Sequence, residues 1–164
     1  MSRYRAPSGP STALITEQGF ETLLQEQKDL WLKRREVTAA LSAAAAEGDR
    51  SENAEYIYRK KELAGIDRRV RYLQKRLPSL RVVKERPADT SKAFFGAFVE
   101  LSDEDGETLE VRIVGPDEID PAQQWISVDS LMARALLKNT VGDEITVSAP
   151  KGQSIYYIES ITYR

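Results

Sequence analysis

The sequence predicts an α+β protein: an N-terminal antiparallel coiled-coil hairpin, then a C-terminal domain with a mainly antiparallel sheet and one helix. Three observations predict it. Apolar residues recur in interleaved seven-residue series on two consecutive stretches. Beyond residue 92 the period changes from helical to strictly alternating. Charge divides with the pattern: Arg50 to Arg86 carries twelve basic residues against five acids, whereas Pro87 to the end carries six against fourteen, inside a net charge of only −2. An asymmetry of that size implies two parts with different partners.

The opening "MSRYRAPSGPS" has no periodicity, and residues 1–13 are expected to be a disordered tail. A first helix is expected from Thr16, whose hydroxyl can cap the free amides, with Glu17 suiting the positive helix end. Its two series are Phe20, Gln27, Arg34, Leu41 and Leu23, Leu30, Val37, Ala44, a seam with two polar interruptions. Gly48 ends this helix. A second begins around Arg50 to Asn53 and repeats the spacing with Tyr56, Leu63, Val70, Leu77 and with Ile66, Leu73, Leu80. Joined by so few residues, the two helices must be antiparallel neighbours. About thirty residues per arm at ~1.5 Å each predict a rod on the order of 45 Å long. Because the hairpin pairs with itself, a monomer is expected. Pro78 marks the end of the second arm.

"KERPADTSK", within residues 84–92, reads as a linker, dividing a 14–83 coiled coil from a 93–164 domain. In that domain Phe95, Ala97, Val99 and Leu101 share one face. "DEDG" turns the chain, and Leu109, Val111 and Ile113 answer from a second strand. "QWISVDS" is a third strand, and "SLMARALLKN" a short helix capped by Ser130. A last hairpin turns at Pro150–Gly152.

Composition limits the chemistry. With no Cys and no His, disulfides, thiolate or imidazole zinc sites and nucleophile–histidine catalysis are excluded. Carboxylates with a hard metal ion remain the principal catalytic set. No apolar run approaches the ~20 residues that span a bilayer, and the polar N-terminus has no signal-peptide core. No membrane partner is expected, and the protein is expected to be cytoplasmic.

Two features point to function. "EGDRSENAEY" places Asp49 and Glu52 three residues apart at the hairpin tip. Asp49-x-x-Glu52 fits a capping box that would satisfy amides at the start of the second helix. The same spacing lets two carboxylates converge on one cation or on a water beside it, with Ser51 and Asn53 as neutral donors or ligands. Mg²⁺ prefers six oxygens, so such a tip makes chemical sense as half a site that another macromolecule completes. The second feature is a basic stripe on the second arm: Lys61, Arg68, Arg71 and Lys75 at helical spacing, flanked by Arg69 and Arg76. A charged coiled-coil exterior serves solubility in many proteins, but clustering on one arm of an otherwise acidic chain favours phosphate contact. Aromatic residues do not interleave with the stripe strongly enough to predict base stacking.

"GDRSENAEYIYRKKELAGIDRRVRYLQKRL", "FFGAFVEL", "RIVGPDEID" and "ISVDSLMARALLKNTVGDE" resemble the bacterial Gre transcript-cleavage factors, most closely the GreB branch, from about Leu14 to the last strand. The resemblance implies an FKBP-like fold for the C-terminal domain. It also implies binding to bacterial RNA polymerase that has slid backward and extruded the RNA 3′ end. The rod would enter the secondary channel while the C-terminal domain docks at its rim through Asp129, Ser130 and Leu131, where the family usually has Ser-Pro. Asp49 and Glu52 would help hold a second Mg²⁺ and orient the attacking water, assisted by Arg50, Ser51 and Asn53. The stripe of Lys61, Arg68, Arg69, Arg71, Lys75 and Arg76 would face the extruded RNA. The polymerase itself would cut, so the chain is expected not to be an enzyme on its own. A regulator that enters the channel without promoting cleavage is the alternative. Prolyl isomerase activity is a third possibility, against which the resemblance argues.

Overall fold

The computed structural model of the protein describes residues 11–47 and 53–164. Its elements run β1 (Leu14–Thr16), α1 (Glu17–Ala46), α2 (Ala54–Arg76), β2 (Arg81–Val83), β3 (Phe98–Asp103), β4 (Thr108–Val114), β5 (Trp125–Ser127), α3 (Leu131–Leu136), β6 (Glu144–Ala149) and β7 (Gly152–Thr162). The α+β class, the two long helices and the mainly antiparallel sheet are those the periodicities predict.

Two compact units divide the described chain: Phe20–Leu80, and residues 11–19 together with Arg81–Arg164. In the first, the second of the two α1 series is the deeper one. Leu23, Val37 and Ala44 are buried, and Val37 packs with Ile66 and Val70, flanked by Leu30 and Leu63. One polar interruption has a specific reason: Arg34 Nε donates to Asp67 Oδ1 at 2.8 Å. A second cross-arm pair is bidentate, with Arg69 Nε and Nη2 on the two oxygens of Glu26 at 2.6 and 2.9 Å. As the α1 partner advances from 26 to 34, the α2 partner falls from 69 to 67, the sense of an antiparallel pairing. At Pro78 the α-helix gives way to a 3₁₀ turn over Leu77–Ser79, because proline offers no amide to continue it.

The second unit holds a five-stranded sheet in the order β5-β4-β3-β7-β6. Its neighbours are antiparallel except β4 and β5. One face supplies Val99, Leu101, Val111, Ile113, Ile145 and Ile158 to a core closed by Ala133 and Leu136 of α3. Burying a large aliphatic side chain is worth about 1.5–3 kcal/mol, so this layer is the unit's main source of stability.

Near the chain's start the structure departs from the predicted boundaries. β1 and β2, expected within the hairpin region, instead pair in parallel with each other and belong to the sheet unit. The end of the expected disordered tail is ordered as well: Ala13 O accepts from Arg81 N at 2.8 Å, and Thr12 binds Asp129. Thr16 caps α1 as predicted, its hydroxyl accepting from Gly19 N at 3.0 Å.

That same hydroxyl donates to the buried carboxylate of Glu118, which also accepts from Thr16 N at 3.1 Å and Gly115 N at 2.8 Å. Glu118 N in turn donates to Gly115 O at 3.0 Å, closing a short 3₁₀ turn. Gly115 is required by proximity: a Cβ there would overlap the Leu14 carbonyl oxygen.

Tyr163 ties the segment entering the sheet to the last strand. Its hydroxyl accepts from Phe94 N at 2.9 Å and donates to Lys92 O at 2.6 Å. Burial raises the phenol's pKa above its ordinary value, opposed by the Phe94 amide and assisted by the Asp89 charge. A raised folded-state pKa means that the folded chain holds this proton more tightly than the unfolded one. The contribution is therefore complete below the ordinary tyrosine pKa of about 10 and is lost as pH rises through the higher folded value. Tyr163→Phe is expected to cost about 1–2 kcal/mol at neutral pH, from the two lost bonds. Denaturant titrations should show that this gap between variant and wild type shrinks as pH rises past about 10. A constant gap across that range would contradict the assignment.

Candidate functional site

The residues predicted to carry chemistry fall on three places. At the hairpin end, α2 begins at Ala54 with Asn53 as its N-cap. Asn53 Oδ1 accepts from Tyr56 N at 3.0 Å, while its Nδ2 donates to the Ala44 carbonyl at 2.7 Å. The side-chain amide thus caps one arm and ties it to the C-terminal turn of the other. This corrects the capping-box reading: the N-cap role expected of Asp49 belongs to Asn53. The cap uses one lone pair of Asn53 Oδ1 and one hydrogen of Nδ2, leaving each atom a further position. Asp49, Arg50, Ser51 and Glu52 lie outside the described residues. Among the described residues there is no group of three or more Asp or Glu arranged to hold a metal ion. By sequence the tip offers the two carboxylates of Asp49 and Glu52, a donor set that would suit Mg²⁺, which prefers six oxygens, only with further ligands from another molecule.

The second place is the exposed side of α2. Lys61, Arg68, Arg71 and Lys75 are all exposed, as expected for a stripe off the seam. Arg69 differs: its guanidinium is bound to Glu26 across the hairpin and lies 5.2 Å from the Tyr72 ring centre, so it is a cross-arm tie. Arg76 is half-buried. The structure also shows what the sequence pattern did not single out: Tyr58 and Tyr72 are 59% and 41% exposed on the same helix. The signal for them was present as a seven-residue multiple running beside Lys61 and Arg68.

Third is the turn between β5 and α3. Asp129 accepts from Thr12 N at 2.9 Å and from the Thr12 hydroxyl, so its carboxylate is held by the N-terminal segment. Asp129 N donates to Ser127 Oγ at 3.0 Å. Ser130 caps α3, its hydroxyl accepting from Ala133 N at 3.1 Å, as predicted. Leu131, in the first helical position, is 52% exposed. That position tolerates proline readily, so a Ser-Leu pair in place of Ser-Pro leaves the cap geometry intact.

Comparisons with known proteins cover both units. Residues 88–163 match the family model "Transcription elongation factor, GreA/GreB, C-term", and residues 13–82 match "Transcription elongation factor, N-terminal". The "Transcription elongation factor GreB" of Xanthomonas axonopodis pv. citri is 58% identical over 165 residues, covering 99% of this chain and 98% of that protein. The protein of the same name from Pseudomonas aeruginosa is 52% identical over 164 residues, with 99% and 98% covered. Among solved structures, the GreA factor homolog 1 (Gfh1) protein of Thermus thermophilus is 28% identical, with 92% of this chain and 98% of that chain covered and a TM-score of 0.43.

Proposed function

The chain belongs to the GreA/GreB family of transcription elongation factors, and we propose that it enters the secondary channel of bacterial RNA polymerase and stimulates Mg²⁺-dependent cleavage of backtracked RNA. The observation that supports this reading best is the cap at Asn53. With the start of α2 satisfied by an amide, Asp49 and Glu52 are not needed as its cap, and two acids at a hairpin tip call for another use.

Each part of the chain has a distinct task in this reading. Asp49 and Glu52 would hold Mg²⁺ together with carboxylates of the polymerase, and the ion would supply activation of the attacking water and neutralisation of charge on the phosphate. Arg50 and Ser51 would contact RNA or that water. The water oxygen bonds to phosphorus, the bond from phosphorus to the 3′ oxygen breaks, and that oxygen takes a proton to become the new 3′ end. Lys61, Arg68, Arg71 and Lys75 hold the extruded RNA by its phosphates. Arg69 and Arg76 lie beside them, Arg69 keeping the arms in register. The turn at Asp129 to Leu131 docks the C-terminal unit, with Leu131 as the apolar contact. One copy of the chain serves one polymerase.

The test is direct. The full-length chain, added with Mg²⁺ to halted, backtracked polymerase, is expected to shorten the RNA from its 3′ end and restore elongation, while the chain alone leaves free RNA intact. Inhibited elongation with no shortening would overturn the proposal in favour of a channel-binding regulator.

A further inference from the structure

On the face of the sheet away from α3, three cross-strand partners stand in a row: Phe98 on β3, Arg112 on β4 and Trp125 on β5. The Arg112 guanidinium lies between the two rings, 4.7 Å from the Phe98 centre and 4.8 Å from the Trp125 centre. Arg164 covers Phe98 as well, at 4.2 Å. The rings fix the guanidinium plane, and both arginines line an open cleft of about 440 Å³ with Glu110, Gln123 and Trp125.

What sets Arg112 apart is how its side-chain donors are spent. Its backbone N–H donates to Gln124 O at 3.1 Å, but among the described residues its guanidinium makes no hydrogen bond and no ion pair, and its Nε is buried without a partner. A buried donor left unpaired costs about 1–3 kcal/mol, so its retention calls for a reason. The acids nearby are committed elsewhere. Glu110 accepts from Arg164 Nη2 at 3.1 Å, and Glu118 is occupied by Thr16 and Gly115. Gln123 donates to Asp120 at 2.7 Å, which holds the cleft wall in place. Burial and the Arg164 charge push the Arg112 pKa down, while Glu118 pulls it up. An arginine remains protonated through such shifts.

The geometry points to a recognition site for one side-chain carboxylate, supplied by a single Glu or Asp in an otherwise uncharged segment of a partner protein and received on Arg112 between Phe98 and Trp125. A planar guanidinium held at fixed orientation matches a carboxylate in fork geometry, and the flanking rings exclude water from the pair. The surroundings argue against a polyanion such as RNA. Glu110 lies in the cleft, and Pro87 to the C-terminus carries eight more acids than bases. One carboxylate is accepted there where a run of phosphates is repelled. This inference stands independently of the function proposed above.

The test uses the uniformly ¹⁵N-labelled full-length chain, titrated with acetyl-Ala-Glu-Ala amide, which carries a single carboxylate, at physiological salt. Saturable shifts at the Trp125 indole N–H and the Arg112 Nε–H are expected, with no saturation by acetyl-Ala-Gln-Ala amide. Arg112→Gln should weaken binding about tenfold or more, the size expected for one charge-assisted bond. Should that variant fail to fold, Arg164→Gln, which leaves the sandwich intact, should weaken it about threefold by removing the second cation. Shifts absent, shifts unchanged in the folded variants, or tighter binding of penta-uridylate at the same residues would each overturn the assignment.

Discussion

Asp49→Ala and Glu52→Ala are each expected to lower the rate of transcript cleavage on backtracked polymerase by on the order of 10²-fold or more, because in the function proposed above each removes one of the two acids that the tip would contribute to a metal completed by the polymerase. The structure makes this prediction separable from folding. Since Asn53 caps α2 and ties it to Ala44, neither acid is required to start that helix. Thermal stability of both variants should stay within about 0.5 kcal/mol of wild type, the range for a substitution that leaves the cap of α2 in place. Asn53→Ala is the contrasting control: losing the cap and the cross-arm bond should cost about 1–2 kcal/mol. If Asp49→Ala cleaves at the wild-type rate, the metal-sharing reading is wrong. If it melts like Asn53→Ala, the tip acids are structural.

The largest stability effect is expected at Glu118 and Gly115. Glu118→Ala leaves the Thr16 and Gly115 amides without their acceptor in a buried setting and removes the partner of the Thr16 hydroxyl. With each unpaired buried donor costing about 1–3 kcal/mol, a total of roughly 3–5 kcal/mol is expected. Gly115→Ala should be comparably damaging for a steric reason, since the added methyl occupies the place of the Leu14 carbonyl oxygen and β1 must leave its position. Urea titrations measure both. A loss under about 1 kcal/mol for Glu118→Ala would show that water replaces the carboxylate at little cost. Glu118→Gln should fall between, because one amide oxygen can still serve the two backbone donors while the NH₂ faces a hydroxyl already bonded to Gly19.

These two sites differ in how they were encoded. The tip acids are visible from local sequence, because a Gly and a short acidic motif between heptads mark a hairpin end. Glu118 is not visible, since nothing in "RIVGPDEID" says that its carboxylate meets Thr16, 102 residues earlier in the chain. Asp129 is an intermediate case: the motif marks the turn, but its hydroxyl partner Thr12 is 117 residues away in the chain.

By itself, the sequence determined the α+β class, the antiparallel helical hairpin, the alternating strands, the caps at Thr16 and Ser130, and the exposed basic stripe. All of these follow from interactions within a few residues or from which face of an element is apolar. Only the tertiary structure decided that β1 pairs with β2, that Asn53 and not Asp49 caps α2, that Arg69 is spent on Glu26, and that Arg112 sits unpaired between two rings. Those outcomes depend on strand register and on contacts between distant segments, and local periodicity carries no information about which backbone amide or ring a given side chain will meet.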